Sequence, residues 1–358
     1  MTSTLRILLT VDPYVPVPPA TYGGIERVVA ALIAELHARN HDVTLIAHPG
    51  SQTEAKQVPY GVAPHGGLGP RSTELWQVGS ELWKRRRTVD IVHSFGRLAA
   101  LLPILALRTM PKVQSYQRQI PWSGVRRALR LADSSLSLTA CSAAMWTGHS
   151  QAANGRWRTV HNGVDLGLYT PTRDVPPDAP LMFLGRLDRI KGAHAAIEIA
   201  RRANRRLIVA GNRVDSDEGR QYFAREIEPH IDGRRVDYVG AVDDRAKNAL
   251  LGTAAALLMP IEWDEPFGIV MVEAMACGTP VIGFDRGSVP EVIDHGVTGM
   301  VVRNNDEAVE SIELARRLDR ARVAARCAQR FSYSVIADAY EQVYREAIEI
   351  CSREMVVG

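Results

Sequence analysis

Three stretches of this 358-residue chain carry side chains at spacings suited to holding a polyanion. The richest runs Glu262-Trp263-Asp264-Glu265-Pro266-Phe267-Gly268-Ile269-Val270-Met271-Val272-Glu273 and continues to Pro280. Pro266 suits the first turn of a helix, which would leave the amides of Phe267, Gly268, Ile269 and Val270 as donors at a helix N-terminus. Glu265 then stands just before the helix and Glu273 about two turns in. Carboxylates so separated can bracket an elongated ligand and accept from separate hydroxyls. A capping carboxylate plus a surface glutamate would give the same spacing, but Pro-Phe-Gly inside it makes the pattern rarer. The second stretch, Gly185-Arg186-Leu187-Asp188-Arg189-Ile190-Lys191-Gly192, follows the apolar run Leu181–Leu184. Arg186 offers a fork of donors and Lys191 a compact charge, and in a strand-to-helix turn both could point at one diphosphate. Only five of the 43 basic residues are lysine, which singles out Lys191. A solvated basic loop is the plain alternative. The third stretch, Tyr22-Gly23-Gly24-Ile25-Glu26-Arg27, puts paired glycines ahead of a helix, where backbone can approach an anion closely. It is not the Gly-x-Gly-x-x-Gly dinucleotide pattern, and a flexible turn would read the same way.

Short apolar runs alternating with amphipathic segments must position these residues. Arg6–Val11, Asp42–Ala47, Val89–His93, Lys112–Ser115 and Ser135–Thr139 read as strands in the first half, with a helix over Glu26–Arg39. The rhythm restarts with Leu181–Leu184, Arg206–Ala210, Arg235–Val239, Ala255–Met259, Pro280–Gly283 and Gly299–Val302. Such alternation argues parallel sheets covered on both faces. Tyr169–Pro180 has four prolines in twelve residues and reads as a linker, and Pro59–Pro70 as an exposed loop. Ser332 can cap a long helix over Tyr333–Ile350. The expected architecture is α/β, two doubly wound Rossmann-like domains facing each other across a cleft: 1–170, 171–332, and a terminal helical segment, 333–358. Ligands in such folds sit at the carboxyl ends of the strands.

Composition narrows the class. The chain is 46% hydrophobic and 23% charged, with a net charge of +3. That excludes disorder and a disulfide scaffold and is too mild a charge to propose nucleic acid as a partner. Residues 1–170 carry 18 basic against 10 acidic side chains, and the remainder 25 against 30. The four cysteines are scattered, and no His or Cys cluster has metal spacing. With no basic leader and no long apolar run, the expectation is a cytoplasmic protein. Two basic segments carrying tryptophan, Trp83–Arg87 and Trp122–Arg130, could give weak contact with an anionic membrane surface, or be solvated faces or an anionic acceptor site.

Together these residues resemble the retaining GT-B glycosyltransferases, specifically glycosyltransferase family 4. The resemblance covers nearly the whole chain: Gly23-Gly24, Asp90-Ile91-Val92-His93, His161-Asn162-Gly163-Val164-Asp165, Gly185-Arg186 through Lys191-Gly192, Glu265-Pro266-Phe267-Gly268 through Glu273 to Ile282, and Gly287-Ser288-Val289-Pro290-Glu291-Val292. It implies a nucleotide-sugar donor site on the second domain. Arg186 and Lys191 would neutralise the diphosphate as it departs, and the amides of Phe267, Gly268, Ile269 and Val270 would bind phosphate and sugar. Gly23-Gly24 would close on the diphosphate from the first domain. Glu273 would accept from the ribose hydroxyls, Glu265 would hold a sugar hydroxyl, and the base would lie near Tyr238, Val239 and Gly240. The terminal helix would cross back to the first domain. His93 would contact the transferred sugar, although Phe95 stands where many relatives have a second histidine; a satisfied core histidine is the plain alternative. Ile261–Asp264 and Ser115–Arg118 also depart from commoner patterns. A fixed Arg, a Lys and a helix N-terminus can stabilise a departing diphosphate without a metal. No cofactor is therefore expected beyond the nucleotide sugar as co-substrate, and Asp215-Ser216-Asp217 reads as a solvated turn. The implied reaction moves a hexose, glucose from UDP-glucose, to an unidentified acceptor, a small metabolite or a glycan. A sugar-nucleotide epimerase and a non-catalytic nucleotide-sugar binding module share the architecture and stay open at this point.

Overall fold

The computed structural model describes residues 4–19, 23–61, 70–148 and 156–357. Tyr22 and most of the Pro59–Pro70 loop lie outside the described residues. The chain divides into two compact units, 1–162 with 333–358, and 163–332.

The strands of the first unit are β1 (Arg6–Thr10), β2 (Asp42–Ala47), β3 (Lys56–Pro59), β4 (Ile91–Ser94), β5 (Lys112–Tyr116), β6 (Leu136–Ala140) and β7 (Arg156–Thr159). They form one sheet in the order β3-β2-β1-β4-β5-β6-β7, every pair parallel. Its helices are α1 (Gly24–Ala38), α2 (Pro70–Arg85), α3 (Leu102–Leu105) and α4 (Trp122–Ala132). The strands of the second unit are β8 (Leu181–Leu184), β9 (Leu207–Ala210), β10 (Val236–Gly240), β11 (Ala256–Met259), β12 (Val281–Phe284) and β13 (Gly299–Val302). They pair, all parallel, in the order β10-β9-β8-β11-β12-β13. Its helices are α5 (Ala193–Arg202), α6 (Asp217–Tyr222), α7 (Asp244–Thr253), α8 (Ile269–Ala276), α9 (Val289–Val292), α10 (Asn305–Arg316) and α11 (Arg320–Phe331), and α12 (Tyr333–Val357) closes the chain in the first unit.

Central strands such as Ile7–Thr10 and Leu181–Leu184 are buried throughout, as a sheet covered on both faces requires. β3 and β7 escape the sequence reading because they are edge strands, one mostly exposed, with Lys-Gln-Val-Pro and Arg-Trp-Arg-Thr in place of apolar runs. Charge on an edge strand discourages pairing with other chains. In each sheet the order reverses once, between β1 and β4 and between β8 and β11, and the crevice at the carboxyl ends beside such a reversal is where ligands bind. The stretches Gly185–Gly192 and Ile261–Glu273 leave β8 and β11, the two strands flanking the reversal of the second sheet.

The Pro-rich segment is tied to the second unit. Thr170 donates its amide to Asn248 Oδ1 (2.9 Å) and Thr172 to the Cys277 carbonyl (3.0 Å). Arg320, on α11, donates to the carbonyls of Thr172, Ala254 and Gly252 at 2.7, 2.9 and 2.8 Å. The change from one unit to the other therefore comes at Asn162–Gly163, upstream of the prolines.

Candidate functional site

Glu273 is the one charged residue of α8, whose sequence Ile-Val-Met-Val-Glu-Ala-Met-Ala is otherwise apolar and largely buried. A carboxylate in such a helix is costly unless paired. Glu273 is only 7% exposed, and its Oε1 receives Lys247 Nζ at 2.5 Å and the Tyr169 hydroxyl at 2.8 Å. The other oxygen, Oε2, is buried with no hydrogen-bond partner. Buried carboxylate oxygens are normally satisfied, so an orphaned one marks a place for a donor from outside the chain. Burial and the adjacent Glu273 charge push the Tyr169 hydroxyl far above the ordinary tyrosine range, so it is a proton donor at any physiological pH.

Glu265, 8% exposed, is held the same way. Its Oε2 receives Lys191 Nζ at 2.5 Å and the Trp263 indole N–H at 2.8 Å, and the Lys191 ammonium lies 4.7 Å from the centre of the Trp263 ring. The structure thus joins Lys191 to Glu265 directly. Arg186 pairs instead with Asp188 at 2.8 Å and is half exposed. The backbone locks this loop to its neighbours: Glu262 donates its amide to the Ile190 carbonyl (2.8 Å), and Ser288 donates its amide to the Glu265 carbonyl (2.9 Å). Gly287 makes the second contact possible. Its φ is +54°, and a Cβ there would lie 2.4 Å from the Glu265 backbone nitrogen and oxygen.

The expected helix start is corrected. α8 begins at Ile269, because Gly268 takes φ +72° and interrupts the chain. Pro266 and Phe267 therefore precede the helix, and Glu273 lies about one turn in. The Phe267 side chain is buried, 5.9 Å from the Phe331 ring, and its carbonyl accepts from Ser288 Oγ at 2.9 Å. Ile269 and Val270 occupy the first turn, where amides have no intrahelical acceptor. Val239 and Gly240 end the edge strand β10. Val239 is exposed, and the Gly240 carbonyl accepts from the Gly211 amide at 2.7 Å. Asp215 and Asp217 both pair with Arg220, at 2.5 and 2.6 Å. A surface cavity of about 550 Å³ opens nearby, at the carboxyl ends of β11 to β13, with Glu262, Arg286 and Arg303 in its lining; neither Glu265 nor Glu273 belongs to it.

In the first unit, Gly23 caps α1, and a Cβ there would fall 2.7 Å from the Pro19 side chain, while one on Gly24 meets nothing within 4 Å. His93 has the core placement given above as the plain alternative to a sugar contact. Its ring is wholly buried, with Nδ1 2.7 Å from the Tyr344 hydroxyl of α12 and Nε2 2.6 Å from Ser115 Oγ. Burial lowers its pKa to about 3. With both nitrogens engaged by the protein, the neutral ring has none left for a sugar. Phe95 lies against it, 4.1 Å between ring centres, and is itself buried, so a histidine at that position would be buried too. Of the basic tryptophan segments, Trp122 packs 5.5 Å from Trp157, while Trp83 is exposed with the Arg86 guanidinium 4.0 Å above it.

Sequence reasoning missed Lys247 and Tyr169 as members of the site. The rarity of lysine was a signal for Lys247, but nothing local in the sequence ties α7 to α8.

Two wholly parallel sheets, each reversing once, define an open α/β architecture of two Rossmann-like units, with two clamped glutamates and two lysines in the second. The chain is a glycosyltransferase of the GT-B fold: residues 22–168 match the family model described as Glycosyltransferase Family 4, and residues 176–330 that of Glycosyl transferases group 1. It is 28% identical to a glycogen synthase of Mycobacterium tuberculosis, over 96% of this chain and 95% of the relative. To a D-inositol 3-phosphate glycosyltransferase of Corynebacterium efficiens it is 31% identical, over 56% of this chain and 53% of the relative. Among solved structures it resembles a glycosyltransferase involved in avilamycin A biosynthesis (24% identity, TM-score 0.69, 96% of this chain and 98% of that one). It also resembles Anabaena HepE, solved in complex with UDP and glucose (21% identity, TM-score 0.71, 96% and 100%).

Proposed function

We propose that the chain is a retaining, metal-independent hexosyltransferase that takes glucose from UDP-glucose and passes it to a small metabolite or a glycan. The observation that carries the donor reading is the buried, unpartnered Oε2 of Glu273, an acceptor suited to the hydroxyls of a ribose. HepE binds UDP and UDP-glucose, and the Mycobacterium tuberculosis relative is a glycogen synthase; both favour a glucosyl nucleotide. Lys191 and Arg186 supply positive charge for the diphosphate from the turn after β8, and the Gly268, Ile269 and Val270 amides come from the start of α8. Glu265, held by Lys191 and Trp263, accepts from a hydroxyl of the sugar. Val239 and Gly240 are the backbone against which the base rests.

In the reaction, the bond between the anomeric carbon and the diphosphate oxygen breaks while the acceptor oxygen bonds to the same face of that carbon. The acceptor's proton passes to the departing diphosphate. Charge builds on that leaving group, and Lys191 and the first-turn amides of α8 stabilise it where it forms. No protein nucleophile is required.

The test is a transfer assay on the full chain with UDP-glucose and a panel of sugars, sugar phosphates and short glucans, read by NMR of the product's anomeric proton and run with and without EDTA. The reading expects an α-linked product from the α-linked donor, EDTA without effect, and no altered nucleotide sugar when acceptor is left out. An inverted product, EDTA inactivation, or conversion of UDP-glucose to another nucleotide sugar would each contradict it.

A further inference from the structure

Two side chains that converge on Glu273 have no assigned part in the reaction. Tyr169 comes from the Pro-rich segment, Lys247 from α7 and Glu273 from α8, and the first two deliver their hydrogens to the same oxygen. Tyr169 is 3% exposed. The Lys247 side chain is 16% exposed, also pairs with Asp244 at 2.8 Å, and lies 5.7 Å from the centre of the Tyr169 ring. The arrangement has two physical consequences. The ammonium sits against the carboxylate charge and offsets the cost of burying it. The two contacts on Oε1 also fix the carboxylate's rotation, so Oε2 points in one direction with both lone pairs unused.

We propose that Lys247 and Tyr169 are positioning residues for nucleotide recognition: by clamping Oε1 they aim Oε2 of Glu273 at a vicinal diol and make the chain selective for a ribose over a deoxyribose. The inference rests on the donor reading of Glu273. It adds that selectivity belongs to the clamp as much as to the carboxylate. A carboxylate that loses the clamp can rotate, which removes the directed acceptor while leaving the rest of the site in place. The chemistry read here is that of the sugar ring of the nucleotide, independent of its base.

The experiment is calorimetric titration of the full-length chain with UDP and 2′-deoxy-UDP, and with ADP and 2′-deoxy-ADP, so that base preference and ribose preference separate. A hydrogen bond to a charged group contributes about 1.5–3 kcal/mol, so the wild type is expected to favour one ribonucleotide over its deoxy counterpart by roughly ten- to a hundredfold. Lys247→Met and Tyr169→Phe should each shrink that ratio, the first to near one, with Lys247→Arg restoring part of it. Lys247→Met should cause no further loss of the ratio in a Glu273→Gln background, since both changes remove one device. Tyr169→Phe deletes a single hydroxyl and keeps the test informative if Lys247→Met unfolds, which thermal melts report. If Lys247→Met and Tyr169→Phe weaken ribo- and deoxyribonucleotides equally and leave the ratio unchanged, the two residues are merely structural and the proposal is overturned. If the wild type discriminates and Glu273→Gln abolishes that while the clamp variants do not, the donor reading stands and the clamp fails. If the wild type shows no preference for ribose with either base, both fail together.

Discussion

Lys191 and Glu265 form an ion pair at 2.5 Å, with the Trp263 indole on the same oxygen, so the cation best suited to a diphosphate is already held by a carboxylate. Such a pair keeps the ammonium oriented in a low-dielectric corner, and an arriving diphosphate can share it without a large rearrangement. Lys191→Ala is therefore expected to weaken nucleoside diphosphate binding by about ten- to a hundredfold, the worth of one charge-assisted contact, while leaving binding of the nucleoside alone unchanged. Titration with UDP and with uridine checks it. Glu265→Gln keeps the shape but removes the charge, and should lower kcat more than it raises KM for the donor. His93 makes a prediction of a different kind. Its pKa in the folded chain is about 3 against an ordinary 6.5, so between those values the unfolded chain binds a proton that the folded chain does not. Stability is then full above about pH 6.5 and falls as pH drops toward 3. Replacing His93 with glutamine should reduce the stability lost between pH 7 and pH 5 by about 2 kcal/mol, measured by urea unfolding at both pH values. The histidine was legible in the sequence as a strand-end residue, but its direction was not. What buries it is Tyr344, 251 residues away.

At the scale of elements, the site depends on where α8 starts and on what its loop touches. The sequence pattern marked both glutamates, yet proline in the motif suggested a helix beginning at Pro266, and the left-handed Gly268 delays it to Ile269. Local rules favour proline in a first turn but do not reveal a glycine that adopts positive φ. Gly287→Ala should be strongly damaging, because its positive φ alone costs about 1–2 kcal/mol and the added methyl meets the Glu265 backbone. The expected outcome is a lower melting temperature together with a loss of turnover larger than that of a surface change of equal stability cost. Arg320 is a second support, buried and donating to carbonyls of the Pro-rich segment, of the last turn of α7 and of Ala254 just after it. Arg320→Met leaves those carbonyls without donors and should cost roughly 3–5 kcal/mol, read by denaturant unfolding. The central strands were legible because their runs are continuously apolar. β3 and β7 were not, because an edge strand needs no such run.

At the scale of the molecule, the second unit contains every residue proposed for the donor except the Gly23-Gly24 turn, and it is closed on itself by Arg320 and by the Val164 amide donating to the Phe331 carbonyl at 2.8 Å. Motif order along the chain was enough to recognise the fold, and the two motifs richest in charge, Gly185–Gly192 and Glu262–Glu273, leave the strands beside the reversal of the second sheet. The clamps were illegible for the opposite reason: Tyr169, Lys247 and Glu273 are brought together by packing from three separate segments, at no fixed spacing. The central claim is that Glu273 presents a directed acceptor to a nucleotide sugar. The measurement that tests it most directly is calorimetric titration of UDP-glucose into the wild-type chain and into Glu273→Gln. Saturable one-to-one binding by the wild type, weakened at least tenfold in Glu273→Gln at a temperature where melts show both proteins folded, is the predicted result. Equal affinity in the two proteins would contradict the account.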